Sequence, residues 1–129
     1  MRVLAGALLA MLATGPDALG SGTLAVTVDS RPLAGSCAVL SRATIVAYDA
    51  HSRRDVSYRF VRSDGSISPT GRIAFSGDGA VAQSVADRWT PRGRNPWVAI
   101  EILAPERMQS QHVAAVTRCP AARDLAATR

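Results

Sequence analysis

From residue 24 onward the apolar positions recur at every second residue. Leu24, Val26 and Val28 alternate with Ala25 and Thr27, and Val56, Tyr58 and Phe60 alternate with Ser57, Arg59 and Val61. A period of two is that of a half-buried strand, whereas a helix repeats its apolar positions every three or four residues. Clusters of Gly, Pro, Asp and Ser separate the alternating runs, and the runs are rich in Val, Ile, Thr and Ala. The pattern predicts strands at 24–28, 37–48, 55–62, 72–75, 81–89, 97–103 and 112–119. The second of these alternates unevenly and is expected to carry a bulge. No convincing helix follows residue 20, and residues 121–129 read as a short helix or a frayed tail. About seven short antiparallel strands in about 100 residues predict an all-β, immunoglobulin-like sandwich.

Alternation also sorts the faces. Val56, Tyr58 and Phe60 are expected inside. On the sixth strand Val98, Ile100 and Ile102 go inside, because the opposite choice buries Glu101. On the last strand Val113, Ala115 and Thr117 face in. The third, sixth and seventh strands then share an outer face of Arg59, Val61, Trp97, Ala99, Glu101, Leu103, His112, Ala114, Val116 and Arg118. That face is apolar for one turned to water, and Arg59 and Glu101 are placed to pair across two strands. Apolar patches with charged members mark protein-binding surfaces. The alternative is a face covered by a loop or the tail, or a one-residue slip on the last strand.

The first twenty residues differ from the rest. Arg2 precedes an apolar run at 3–13, and Pro16-Asp17 ends it. The run is too short for a transmembrane helix, which needs roughly 20 apolar residues, and fits a secretory leader. Ala18 and Gly20 are small, so cleavage is expected after Gly20. The alternatives are a buried N-terminal helix or an uncut anchor. The reading therefore divides the chain into a leader at 1–20, a sandwich at 21–120 and a tail at 121–129, with no transmembrane segment in the mature part and a secreted or extracytoplasmic location. An exported chain with two cysteines, Cys37 and Cys119, suggests a disulfide. In the predicted strand order both lie at the same end of the sandwich, in different layers.

Charge adds less. The net charge is +5, and all 15 basic residues are Arg. The absence of Lys together with abundant Ala reads as the codon usage of a GC-rich genome before it reads as selection for phosphate. A basic exported protein is drawn to anionic surfaces, an attraction that salt screens. The most basic loop, 90–97, holds Arg92 and Arg94 between two prolines. One short Arg cluster is not the basic stripe of a nucleic-acid interface, so no nucleic acid is expected.

Cys37, the run Tyr58-Arg59-Phe60 with Arg62-Ser63-Asp64-Gly65, then Trp89, Pro105, Ser110 and Cys119 together resemble a type of small secreted bacterial immunoglobulin-like domain. In that type one Cys opens a strand, a YRW-x-RSDG segment forms another and a Cys closes the last. The resemblance covers about residues 23 to 119. Phe60 stands where that pattern has Trp, and Ala38 follows the first Cys where Pro is common. The resemblance implies fold and export, and it brings no catalytic residue.

The remaining chemistry reads as structure. Asp64 before Gly65 is turn chemistry, since Asp bonds the backbone two residues on and Gly accepts positive φ. Gly77-Asp78-Gly79 reads as a second turn. His51, in an expected loop beside Arg53 and Arg54, and His112 have no metal-ligand spacing. No nucleophile elbow or phosphate loop occurs, and no metal or cofactor is called for. The sequence thus predicts a secreted non-catalytic module that binds an unknown protein or an anionic cell-surface component. The binding residues are expected among Arg59, Val61, Trp97, Leu103, His112, Val116, Arg92 and Arg94. The alternatives are a small secreted hydrolase with a loop-borne site, and a purely structural envelope protein.

Overall fold

The computed structural model describes residues 19–20 and 24–119, apart from the side chains of Leu19, Asp49, His51 and Ser52. Most of the expected leader and all of the expected tail lie outside the described residues.

The described chain is all β, and no helix occurs in it. Its strands are β1 (Leu19–Gly20), β2 (Leu24–Pro32), β3 (Val39–Arg62), β4 (Gly71–Trp89), β5 (Trp97–Ala104), β6 (Met108–Gln109) and β7 (Val113–Ala114). They form one antiparallel seven-stranded sheet with the path β1-β2-β3-β5-β6; β4 pairs with β3, and β7 with β5. β1 falls inside the expected leader.

Two expected breaks are not breaks. The predicted strands 37–48 and 55–62 are one continuous strand, β3. The predicted strands 72–75 and 81–89, with Gly77-Asp78-Gly79 between them, are likewise one strand, β4. His51 therefore lies on a strand, and the turn that joins β3 to β4 is 63–70. The reason is that the two irregularities face each other. The pairing register shifts between Tyr48 and Ala50 and again between Ala50 and Arg54, and Ala50 stands opposite Gly77. Gly77 (φ 135°) and Gly79 (φ 70°) adopt backbone shapes that other residues rarely take. Both strands bend together, and the ladder resumes beyond the bulge.

The bend lets one sheet enclose its own core. The first half of β3 lies between β2 and β4, and the second half between β4 and β5. β2 touches β5 and β7 although it pairs with neither. A flat open sheet leaves each face to water, yet Leu24, Val26, Ile45, Val56, Val98, Ile100 and Ile102 are fully buried in one cluster with Phe60 and Phe75. The inward alternation expected on β3, β5 and the 113–117 segment is the one observed: Tyr58 and Val113 pack against this cluster and Ala115 belongs to it. Tyr58 lies across from Gly71, where any side chain would strike the Tyr58 ring.

The last expected strand, 112–119, shrinks to β7, and the short β6 precedes it outside the expected range. Ser110 replaces a regular ladder step, since its hydroxyl accepts from the Ile100 N–H and its own N–H donates to the Ile100 carbonyl. Ala115 N–H donates to the Pro96 carbonyl beyond β7. Cys37 and Cys119 both lie just outside the strands and are joined in a disulfide across 82 positions of sequence. Thr117 reinforces the closure by donating from its hydroxyl to the Cys37 carbonyl at 3.1 Å.

A crosslink over a loop of this length removes much unfolded-state entropy. Replacing both Cys37 and Cys119 by Ser is expected to lower the unfolding free energy by up to about 4 to 5 kcal/mol, measured by urea denaturation of both forms. A loss under about 1 kcal/mol would show that the closure is redundant with the core.

Candidate functional site

The segment from Arg62 to Gly65 works through every one of its residues. Gly65 N–H donates to the Arg62 carbonyl at 3.0 Å, closing a tight turn, and Gly65 takes φ 88°. Asp64 Oδ1 accepts from Ser66 N–H at 2.9 Å and from the Ser66 hydroxyl at 2.6 Å. Asp64 is therefore the polar tip of a turn, as its sequence context implies. Its two Ser66 bonds, side chain first, hold its carboxyl below the usual value of 3.8 against the opposing effect of desolvation, with smaller help from Arg62 and Arg92. Ser63 N–H donates to the Trp97 carbonyl at 3.0 Å, and Trp97 N–H donates to the Ser63 hydroxyl at 3.1 Å. The turn thereby fixes the start of β5.

Arg62 reaches elsewhere. Its Nη2 donates to both carboxylate oxygens of Asp87, at 3.0 and 2.8 Å, with side chains only 13% and 12% exposed. Its guanidinium also lies 5.4 Å from the ring centre of Trp89. Arg62 pairs in the ladder with Val98, and Asp87 with Ser41. The contact therefore ties the end of β3 to the end of β4, where the two strands do not pair. Neither Asp87 nor its partnership was legible in the sequence, because nothing in the alternation marks two residues 25 positions apart as neighbours.

The outer face expected to be open is partly closed by its own side chains. Ala99 is fully buried, and Val61, Trp97 and Leu103 are half-buried. Arg59 Nε donates to Glu101 Oε1 at 2.8 Å, the pairing expected from the strand register. Arg107 adds a second guanidinium, bonding Glu101 Oε2 at 3.2 Å. A charge cluster thus lies on the same side of β5 as Ala99, and Arg59 is engaged in it. Val61 sits between Ala99 and a further bridge to Ile67.

The other expected residues meet around a groove. It runs between the 90–96 loop and the 112–117 segment, ends at the Cys37–Cys119 bridge and encloses about 1300 Å³ open to solvent. Arg92, Arg94, Trp97, His112 and Val116 all line it. Trp97 and His112 stack with ring centres 3.5 Å apart and planes within 8°. Gln109 Nε2 lies 3.2 Å from His112 Nε2 and braces the imidazole. His112, Arg92 and Arg94 are exposed, and Val116 is 66% exposed. Gly93 (φ 83°) and Asn95 (φ 47°) shape the loop. No Asp or Glu lines the groove. Among the described residues no group of three His, Cys, Asp or Glu side chains lies close enough to hold a metal ion. Arg59 and Leu103 are not part of this groove, and neither is Val61.

The chain matches no protein-family model, and no curated protein is significantly similar to it.

Two outcomes test the turn. Replacing Arg62 by Met leaves Asp87 unpaired in a poorly solvated site and is expected to cost about 3 kcal/mol, with Arg62→Met/Asp87→Leu recovering most of it; urea denaturation of the three proteins measures both. Asp64, with a folded pKa below its unfolded value, adds stability that is fully present above the ordinary carboxylate pKa and is lost as pH falls through the folded one. Asp64→Asn should abolish that acid-side dependence, and carbon-detected NMR titration of the Asp64 carboxyl should give a midpoint below 3.8.

Proposed function

We propose that the chain is an exported, non-catalytic immunoglobulin-like module that binds a protein or an anionic cell-surface component through the groove at Trp97 and His112. The fold reading rests on the bent strands. β2 with the first half of β3 and the second half of β4 makes one layer. The first half of β4, the second half of β3, and β5 to β7 make the other. Contact of β2 with β5 and β7 without pairing supports two layers packed face to face. The disulfide supports an oxidising, extracytoplasmic setting.

The observation that carries the binding reading is the convergence of Arg92, Arg94, Trp97, His112 and Val116 on one open groove. Its chemistry suits recognition. A stacked ring pair and an exposed valine offer apolar contact, and two guanidiniums at the rim offer bidentate donors to carboxylate or phosphate. The loop that carries the guanidiniums is braced at Pro96 by Ala115 and at Trp97 by Ser63, so little ordering entropy is lost on binding. A hydrolase reading calls for convergent groups able to exchange protons around a substrate, and the groove is lined by Arg and one His with no carboxylate.

The test is capture from envelope extract and culture supernatant on immobilised protein, compared with His112→Ala/Val116→Ser and with Arg92→Ser/Arg94→Ser. Each pair should weaken the captured partner by about tenfold or more, with thermal midpoints close to that of the parent. Equal capture by the parent and both variants would place binding elsewhere.

A further inference from the structure

Beyond the groove, we propose that the free edge of β4 over residues 80–86 pairs with the same edge of a second copy, antiparallel and centred on Gln83. Among the described residues β4 pairs with β3 only, so its other edge carries no strand. An unpaired edge presents a row of N–H and C=O groups that templates another strand. Proteins guard such edges with charge, proline or bulges. The outer edge of β2 is guarded in that way by Asp29, Arg31 and Pro32, and it carries β1 at Ala25 and Val26. The first half of β4 ends in the Gly77–Gly79 irregularity, and Gln83 Nε2 donates to the Ala74 carbonyl. Residues 80–86 contain no charge, no proline and no glycine. Ala80, Ala82, Ser84 and Ala86 are all exposed, and their small side chains leave room for a neighbouring strand.

The partner is a second copy because the edge complements itself. Residues 80–86 read AVAQSVA, almost the same in both directions about Gln83. An antiparallel pair on that centre sets Val81 against Val85, Ala80 against Ala86 and Ala82 against Ser84. A two-fold interface requires this kind of match, in which i meets j and j meets i. The next outward-facing pair is Asp78 against Arg88, of opposite charge and both exposed. Asp78 also interacts within its own chain, and a carboxylate has acceptor sites to share. The pairing continues two existing cross-strand rows, Ala25–Val46–Ala82 and Thr27–Thr44–Ser84, into the partner's Ser84 and Ala82.

A seven-residue edge buries less than a standard interface, so sedimentation equilibrium should show monomer giving way to dimer between about 10 µM and 1 mM. Nitroxides on Ala86→Cys should lie about 20 Å apart in the dimer and those on Arg88→Cys about 34 Å apart, from offsets of six and ten residues along the paired strands. Ala82→Lys/Ser84→Lys should weaken the dimer about 100-fold, and mixing it with Ala82→Glu/Ser84→Glu should restore a dimer between the two variants. His112→Ala should leave the association unchanged, which separates this edge from the groove. A protein that stays monomeric throughout overturns the proposal. So does a dimer that the Lys pair leaves intact, or one whose label distances do not lengthen from residue 86 to residue 88.

Discussion

The ion pair between Arg62 and Asp87 joins the ends of two strands that share no ladder at that point. Arg62 ends the longest strand, and Asp87 lies near the end of the next. No backbone ladder joins the two there, because the end of β4 pairs with the start of β3, while the end of β3 pairs with β5. A planar guanidinium suits the task. From Nη2 it reaches both Asp87 carboxylate oxygens, and its guanidinium carbon lies 5.4 Å from the Trp89 ring centre. Its value lies less in net stability than in specificity, since an unpaired Asp87 in that setting is costly and only one arrangement of the strand ends satisfies it. The three residues after Arg62 extend the constraint. Ser63 clamps Trp97, Asp64 closes on Ser66, and Gly65 supplies the backbone shape.

The groove is a consequence of that constraint. Trp97 opens β5, and the Ser63 bonds set where β5 begins. With Trp97 fixed, His112 has a flat surface to stack on, and Gln109 holds the imidazole from behind. The disulfide then closes one end of the groove by tying Cys119 to Cys37, the residue two positions before β3. Structure and proposed function thus share residues: the pieces that close the fold at the rim also form the walls of the groove. The free edge of β4 is different in kind. It arises because a strand of 19 residues follows one bent partner throughout, and among the described residues no strand pairs with its other side.

Much of this was legible from alternation alone. The all-β class and the inward set of β3 and β5 follow from a period of two, and the Arg59–Glu101 pairing follows from that period together with strand order. The turn role of Asp64 follows from local chemistry, which depends only on its neighbours. The continuity of β3 and β4 was not legible. The polar runs at 49–55 and 76–79 interrupt the apolar pattern as a loop would. A bulge and a loop differ only in whether the opposite strand bends at the same point, and that is a relation between distant residues. How far the outer face of β5 is open was not legible either, for a related reason. Alternation tells which way Ala99 points, but its complete burial depends on how the side chains around it are arranged.

The sequence by itself determined the all-β class, the inner faces of β3 and β5 and the chemistry of the turn, because each depends on spacing along the chain. It also supplied the two cysteines and the residues of the groove as separate candidates. The tertiary structure alone decided which of them meet. It set Trp97, His112, Arg92, Arg94 and Val116 around one groove, held Arg59 on Glu101, paired Arg62 with Asp87 and, among the described residues, left one edge of β4 without a strand. Contacts between residues far apart in sequence depend on how the strands bend and cross, and one-dimensional periodicity does not encode that.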